Sequence, residues 1–246
     1  MLKLEIIGQG ATSKIYRDGN TAIKLYENIS YDEVVNEANN QKFAYDVGLP
    51  VPAIIDIQQL EANAVALHMD YIDAKPLMHV GMDKDDRREA IQTLVKLQCK
   101  VHKISAAGLP KQNERLRQRV TQTEYLTDTE KESLLTLLEK LDTDESNLCH
   151  GDFHPLNILY DGSKHWIIDW VDATAGNCLA DVCRSYLIFK QYITRMAGIY
   201  LKSFCKESNV KQEDVLAWLP IVAAGRLGEN LDDKSIAWLL EIIRGN

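Results

Sequence analysis

His150-Gly151-Asp152-Phe153-His154-Pro155-Leu156-Asn157 is followed, after a short interval, by Ile167-Ile168-Asp169-Trp170. Between them, Ile158-Leu159-Tyr160, the turn pair Asp161-Gly162, and Trp166-Ile167-Ile168 read as strand, turn and returning strand. Asp152 thus falls in a loop just ahead of a hairpin. Asn157 opens the first hairpin strand and Asp169 closes the second. A hairpin brings its two ends together, so Asn157 and Asp169 are expected to meet beside Asp152. Two hard oxygen donors at one point suit Mg²⁺. A free carboxylate next to them can orient and deprotonate an attacking hydroxyl.

This string resembles the catalytic loop of the aminoglycoside phosphotransferase family, protein-kinase-like small-molecule kinases related to choline kinases. In that family the loop reads H-G-D-x-H-x-x-N and is followed by an I-D-[WF] strand end. The likeness runs from the glycine turn at Gly8 to at least Asp181. It implies that Asp152 is the catalytic base, that Asn157 and Asp169 hold the metal, and that ATP with Mg²⁺ is the phosphoryl donor. His150 is expected to hold the loop by hydrogen bonds. For His154, packing of the loop is favoured over an approach to phosphate.

Upstream, Gly8-Gln9-Gly10-Ala11-Thr12-Ser13-Lys14-Ile15 resembles the kinase glycine-rich loop G-x-G-x-x-G-x-V. Gly8 and Gly10 let backbone approach phosphates, and Ser13 stands where the third glycine would be. Asp18-Gly19-Asn20 is a hairpin turn signal, and Ala22-Ile23-Lys24 returns from it as the kinase V-A-I-K strand does. Lys24 is then expected to pair the α- and β-phosphates, held by a helix glutamate. Ser30-Tyr31-Asp32-Glu33 is a capping box that starts a helix near Tyr31, with Gly48 as its stop. Glu33 and Glu37 both lie on that helix, and Glu37 is preferred because the cap uses Glu33. Met69-Asp70-Tyr71-Ile72 is similar to a kinase hinge, with the Asp70 carbonyl and the Ile72 amide facing the adenine edge.

Gly176 and Asp181 follow Asp169 at the spacing of the family's G-[DN]-x-x-x-D segment, and Asp181 is expected to support the catalytic loop through backbone hydrogen bonds. Only twelve residues lead from Asp169 to Asp181, and no A-P-E follows. That interval is too short for an activation loop with a peptide-docking segment, which argues against an ordinary protein kinase. An atypical protein kinase and a non-catalytic nucleotide-binding module are the alternatives. The second would need the loss of Lys24, Asp152, Asn157 or Asp169, and all four are present.

The fold expected is α+β and bilobal. Residues 1–69 would form a small β-rich nucleotide-binding lobe, 70–74 the hinge, and 75–246 a larger helical lobe carrying the catalytic loop and the acceptor site. Asp86–Ser105 and the helix opened by Thr127-Asp128-Thr129-Glu130 carry apolar residues at helical spacing. A chain of 246 residues, 46% hydrophobic and 26% charged, can bury such a core. The net charge of −8, with bases scattered, excludes a basic stripe for nucleic acid. The five cysteines form no CxxC, as expected of free thiols in a reducing compartment. No leader pattern, membrane span or obligate protein partner is evident, so a cytoplasmic enzyme acting on a small-molecule hydroxyl acceptor is expected.

The acceptor itself is not spelled out by any motif, but charge narrows it. Residues 1–74 carry eleven Asp/Glu against five Lys/Arg, a net of −6. The stretch from Gly176 onward carries eight acids against nine bases. A polycationic acceptor calls for carboxylates in the second lobe, where only local groups such as Glu229, Asp232 and Asp233 could gather. A neutral or singly charged metabolite is therefore expected. Tyr186, Phe189, Tyr192, Trp218 and Trp238 lie in second-lobe helices, more as core than as pocket.

Overall fold

The computed structural model describes residues 5–10, 12–60 and 63–245. Ala11 of the glycine turn lies outside them. The chain divides into two compact units, Met1–His79 with Pro155–Asp172, and Val80–His154 with Ala173–Asn246.

The first unit is built on five antiparallel strands, β1 Glu5–Gln9, β2 Ser13–Asp18, β3 Thr21–Glu27, β4 Ile54–Gln59 and β5 Ala64–Asp70, in the order β1-β2-β3-β5-β4. Gly19 takes φ +58° in the two-residue turn joining Asp18 to Thr21, a conformation in which glycine carries no Cβ penalty. Helix α1, Tyr31–Asp46, starts at the expected capping box, with Ser30 Oγ accepting from Glu33 N and the Glu33 carboxylate accepting from Ser30 N. It ends where Gly48 turns to φ +83°. One face of α1 supplies Val34 and Ala38 to a core with Tyr26, Val65 and Leu67 from β3 and β5. The Gln41 amide ties the helix to the Pro52 carbonyl at 2.9 Å.

A second, three-stranded sheet in this unit runs β6 (Lys75–Pro76), β8 (Ile158–Tyr160), β9 (His165–Ile167). β8 and β9 are the hairpin expected from the sequence, paired Ile158↔Ile167 and Tyr160↔His165. Asp161 closes it by accepting from Ser163 N, Lys164 N and Trp166 Nε1 at 2.7–2.8 Å. Ile167 N–H donates to the Pro50 carbonyl at 2.8 Å, which fastens the hairpin to the segment after α1.

The second unit is helical. It holds α2 Lys84–Val101, α3 Gln112–Gln122, α4 Asp128–Leu141, α5 Cys178–Tyr192, α6 Thr194–Ser208, α7 Gln212–Leu216, α8 Leu219–Arg226 and α9 Asp233–Arg244, with β7 Asn147–Cys149 antiparallel to β10 Thr174–Gly176. α4 starts at the expected Thr127 capping box. α3 and the β7–β10 pair went unread because their local signals are weak. Lys111 at the head of α3 offers no side-chain cap, and Val120 is the helix's only buried residue. Strands of three residues are too short to show an alternation. The core of this unit joins Ile91, Leu94 and Val101 of α2 to Leu148, Leu187, Tyr200, Phe204 and Ile221. Of the aromatic residues named from sequence, Phe189 and Trp218 are buried, with Phe189 stacked on Tyr200 at 5.0 Å, while Tyr192 is exposed.

Candidate active site

In the first unit the chemistry gathers around Lys24, at the middle of β3. Its Nζ lies 2.7 Å from Glu37 Oε1 and 3.0 Å from Asp169 Oδ1. Of the two glutamates proposed from sequence, Glu37 is the partner, while Glu33 is spent on the cap. Both members of the Lys24–Glu37 pair are buried, whereas the Asp169 side chain is 40% exposed, leaving carboxylate surface open. Burial opposes the charge on Lys24, but Asp169 and Glu37 outweigh it and hold the ammonium well above its ordinary range. The lysine is therefore a fixed positive charge. Tyr26, two residues on along the same face of β3, donates its hydroxyl to Glu37 Oε2. Burial pushes that phenol well above its usual range, so it stays a donor.

Asp169 has φ +67°, a left-handed conformation that a non-glycine residue takes at a cost of about 1 kcal/mol. The sharp turn after β9 aims the carboxylate at Lys24. Asn40, one turn past Glu37 on α1, steadies the chain just beyond Asp169 by donating to the Trp170 carbonyl at 3.1 Å. The fully buried Trp170 donates Nε1–H to the Ile167 carbonyl at 3.2 Å. Asn157 ends a 3₁₀ turn, Pro155–Asn157, and its carbonyl accepts from Ile168 N at 3.0 Å. The hairpin therefore brings Asn157 against the residue before Asp169, as its register requires. Among the described residues no group of three or more His, Cys, Asp or Glu side chains is placed to hold a metal. One carboxylate and one amide oxygen suit instead an ion that completes its shell with water and phosphate oxygens, as Mg²⁺ does.

The glycine turn is tight. Gly10 N–H donates to the Ser13 carbonyl at 2.8 Å, and a Cβ on Gly10 would stand 3.2 Å from Ser13 Oγ. Gly8 sits in β1 at a register irregularity, opposite Ile15. Ser13 is buried. Asp70 ends β5, and its N–H donates to the Ala53 carbonyl at 3.0 Å. Tyr71 N–H donates to Asn20 O, and Ile72 lies in the segment between β5 and β6, outside regular secondary structure.

In the second unit the loop carrying Asp152 is held from several sides. His150, fully buried, accepts from Asp152 N at 3.2 Å through Nδ1 and packs edge-on to Phe153. His154 Nε2 lies 3.2 Å from Asp152 Oδ2. Burial would raise the Asp152 pKa, but the His154 hydrogen bond and the charges of His154, Arg184 and His150 outweigh it. Its carboxyl is held below the usual carboxylate range. Asp152 is therefore ionised at neutral pH and is a weak base.

Beneath the loop, Asp181 Oδ1 accepts from Gly151 N at 2.7 Å. Its other oxygen takes Gln98 Nε2 at 3.1 Å and His102 Nε2 at 2.9 Å. Tyr200 closes the network by donating to Gln98 Oε1 at 2.5 Å. Arg184 Nε donates to the Gly151 carbonyl. Sequence reading found Asp181 but missed Gln98, His102 and Arg184. A glutamine on the apolar face of α2, among Ile91, Leu94, Val95 and Val101, was the available signal.

A β-sheet N-terminal region with a buried lysine–glutamate pair, followed by a helical part bearing an aspartate loop, defines a protein-kinase-like phosphotransferase. The model of the phosphotransferase enzyme family matches residues 3–217, and the chain belongs to that family. Solved structures share the fold at low identity. One is a thermostable mutant of aminoglycoside phosphotransferase APH(4)-Ia in ternary complex with ADP and hygromycin B, 14% identical, covering 99% of this chain and 92% of that one with a TM-score of 0.72. Another is an aminoglycoside-3'-phosphotransferase of type VIII, 17% identical over 91% and 93%, TM-score 0.65. A third is the amicoumacin kinase hAmiN in complex with AMP-PNP, Ca²⁺ and Ami, 12% identical over 98% and 87%, TM-score 0.64. No curated protein matches by sequence. No helix among the described residues is long and apolar enough to cross a membrane.

Proposed function

We propose that the chain transfers the γ-phosphoryl group of ATP to a hydroxyl of a small molecule that is not a polycation. The observation that carries this reading is Lys24 fixed between Glu37 and Asp169, at 2.7 and 3.0 Å. A buried ammonium locked by one carboxylate and facing a second, half-open one is a device for polyphosphate and a divalent ion. Membership of the phosphotransferase enzyme family supports the same reaction class. The solved structures of similar fold bind ADP or AMP-PNP, which supports ATP as donor.

Residue by residue, Lys24 takes the α- and β-phosphate oxygens and Glu37 with Tyr26 keeps it extended. Gly8, Gly10 and Ser13 bring backbone to the phosphates, and Asp70 and Ile72 offer the adenine a carbonyl and an amide. Asn157 and Asp169 would hold Mg²⁺, which when bound neutralises charge on the phosphates. Asp152 accepts a hydrogen bond from the acceptor hydroxyl and aligns its oxygen on the γ-phosphorus. The new O–P bond forms as the bond to the β–γ bridging oxygen breaks, ADP departs, and the hydroxyl proton passes to Asp152. A carboxylate held in its ionised form takes that proton late, so orientation is its larger contribution.

The segment after Asp169 argues against a peptide acceptor. Trp170 is buried, Thr174–Gly176 is used in β10, and Asn177 already caps α5. Only Val171, Asp172 and Ala173 remain of the interval, too few residues to dock a peptide. A thermal-shift titration with ATP and Mg²⁺, then ADP release across small hydroxylated acceptors, tests the proposal. Stabilisation by ATP with Mg²⁺ and acceptor-dependent ADP release are expected. Absence of the first, or phosphorylation of proteins in preference to every small alcohol, would refute it.

A further inference from the structure

In the second unit three helices each bring an arginine to a single carboxylate. Glu229, in the loop after α8, takes Arg184 Nη1 of α5 at 2.5 Å and Arg119 Nη1 of α3 at 3.7 Å on Oε1, and Arg226 Nε of α8 at 3.0 Å on Oε2. The convergence is built into the packing. A Cβ on Gly225 would meet Leu116 Cδ2 at 3.0 Å, so a glycine beside Arg226 lets α3 lie close to α8 and carries Arg119 up to the cluster. Arg226 is only 3% exposed, and its Nη1 has no hydrogen-bond partner. A buried guanidinium with an unmatched donor is unfavourable for folding alone. It becomes favourable once a further oxyanion completes it, since the planar fork matches carboxylate and phosphate oxygens in pairs.

Arg184 connects this cluster to the reaction. The guanidinium that reaches Glu229 through Nη1 also donates through Nε to the carbonyl of Gly151, the residue before Asp152. A group seated among the arginines is thus one guanidinium away from the loop that would orient the acceptor hydroxyl.

Resting on the small-molecule kinase reading, we propose that Arg119, Arg184 and Arg226 form the anion subsite for the acceptor, and that the acceptor is an alcohol bearing an oxyanion, a carboxylate or a phosphate monoester. Glu229 acts as the internal stand-in, holding the three guanidiniums in register and yielding part of them to the ligand. The same cluster disfavours a polyammonium acceptor, which would bring its charges against three guanidiniums next to the catalytic loop.

The test uses the full chain and begins without nucleotide. Malonate and inorganic phosphate serve as minimal oxyanions, with chloride at matched ionic strength as control. Arg119→Gln and Glu229→Gln are chosen because both side chains are partly exposed, which spares the buried Arg226. Both oxyanions are expected to stabilise the wild type saturably. Arg119→Gln should weaken them at least tenfold, and Glu229→Gln, lacking the competing carboxylate, should strengthen them severalfold. Tighter malonate or tighter phosphate distinguishes a carboxylate from a phosphate monoester as the natural group. ADP release is then measured with hydroxy acids such as gluconate, with glycerol 3-phosphate, with neutral polyols and with kanamycin. An anionic member should show the highest kcat/KM, and Arg119→Gln should raise its KM with a smaller effect on kcat. Oxyanion binding that is equal in the wild type and both variants overturns the subsite, as does a neutral or polycationic acceptor that outperforms every anionic one. If ATP and Mg²⁺ fail to bind, the kinase reading falls, while the nucleotide-free titrations still judge the subsite.

Discussion

Replacing His102 with glutamine removes one partner of a buried ion pair and is expected to flatten the protein's stability between pH 6.5 and about 9. His102 Nε2 lies 2.9 Å from Asp181 Oδ2, with both side chains almost fully buried. Burial opposes the imidazolium, but the hydrogen bonds and charges of Asp181 and Cys178 outweigh it, so His102 titrates near 9 in the fold against 6.5 for a free imidazole. A folded-state pKa raised above the unfolded value adds stability that is fully present below pH 6.5 and is lost as pH rises through about 9. By linkage that difference is worth about 3 kcal/mol. Glutamine keeps a donor for Asp181 but does not titrate. The gap in unfolding free energy between wild type and His102→Gln should therefore shrink by about 3 kcal/mol across this window, other titrations cancelling in the difference. Urea unfolding of both proteins from pH 6 to 9.5 measures it. Asp181 also accepts from Gly151 N, so kcat in the variant should fall on the order of tenfold with ATP binding unchanged. Parallel stability curves for the two proteins would show that the pair does not carry the charge assigned to it.

Asp152→Asn should leave ATP affinity nearly intact and lower kcat at least about a hundredfold, since hydroxyl orientation and proton acceptance are lost only in the reacting complex; near-normal turnover would remove Asp152 from the chemistry. Asp169→Ala should abolish the Mg²⁺-dependent part of the thermal shift by ATP, and an unchanged shift would place the metal elsewhere. Lys24→Ala should destabilise the fold by about 3 kcal/mol, because the buried Glu37 loses the ammonium that pairs with it and keeps the Tyr26 hydroxyl. The Lys24→Ala/Glu37→Ala double variant should cost little more than Lys24→Ala alone, and additive losses would show that the two do not act as a unit.

Contiguity decided what could be read from the sequence. Asp152, Asn157 and Asp169 were legible because one loop and one hairpin contain them, and turn chemistry at Asp161-Gly162 sets their order. The Lys24–Glu37 pair was legible because a strand, a short loop and a capped helix separate its members. Tyr26 and Asn40 were not, although each sits beside a residue that was, two positions along β3 from Lys24 and one turn along α1 from Glu37. A tyrosine in a strand and an asparagine in a helix carry no local mark of what they bond. The arginine cluster was the least legible, because Arg119, Arg184, Arg226 and Glu229 come from separate segments and meet only through helix packing. Charge counting nonetheless leaned the same way. The stretch from Gly176 onward, with nine bases against eight acids, was a poor home for a polycation. Of the three carboxylates named for one, two are engaged: Glu229 faces three arginines, and Asp232 caps α9 by accepting from Ser235 N at 2.8 Å. Around Glu229 three guanidiniums stand against one carboxylate. That local excess of positive charge is what the proposed anion subsite rests on.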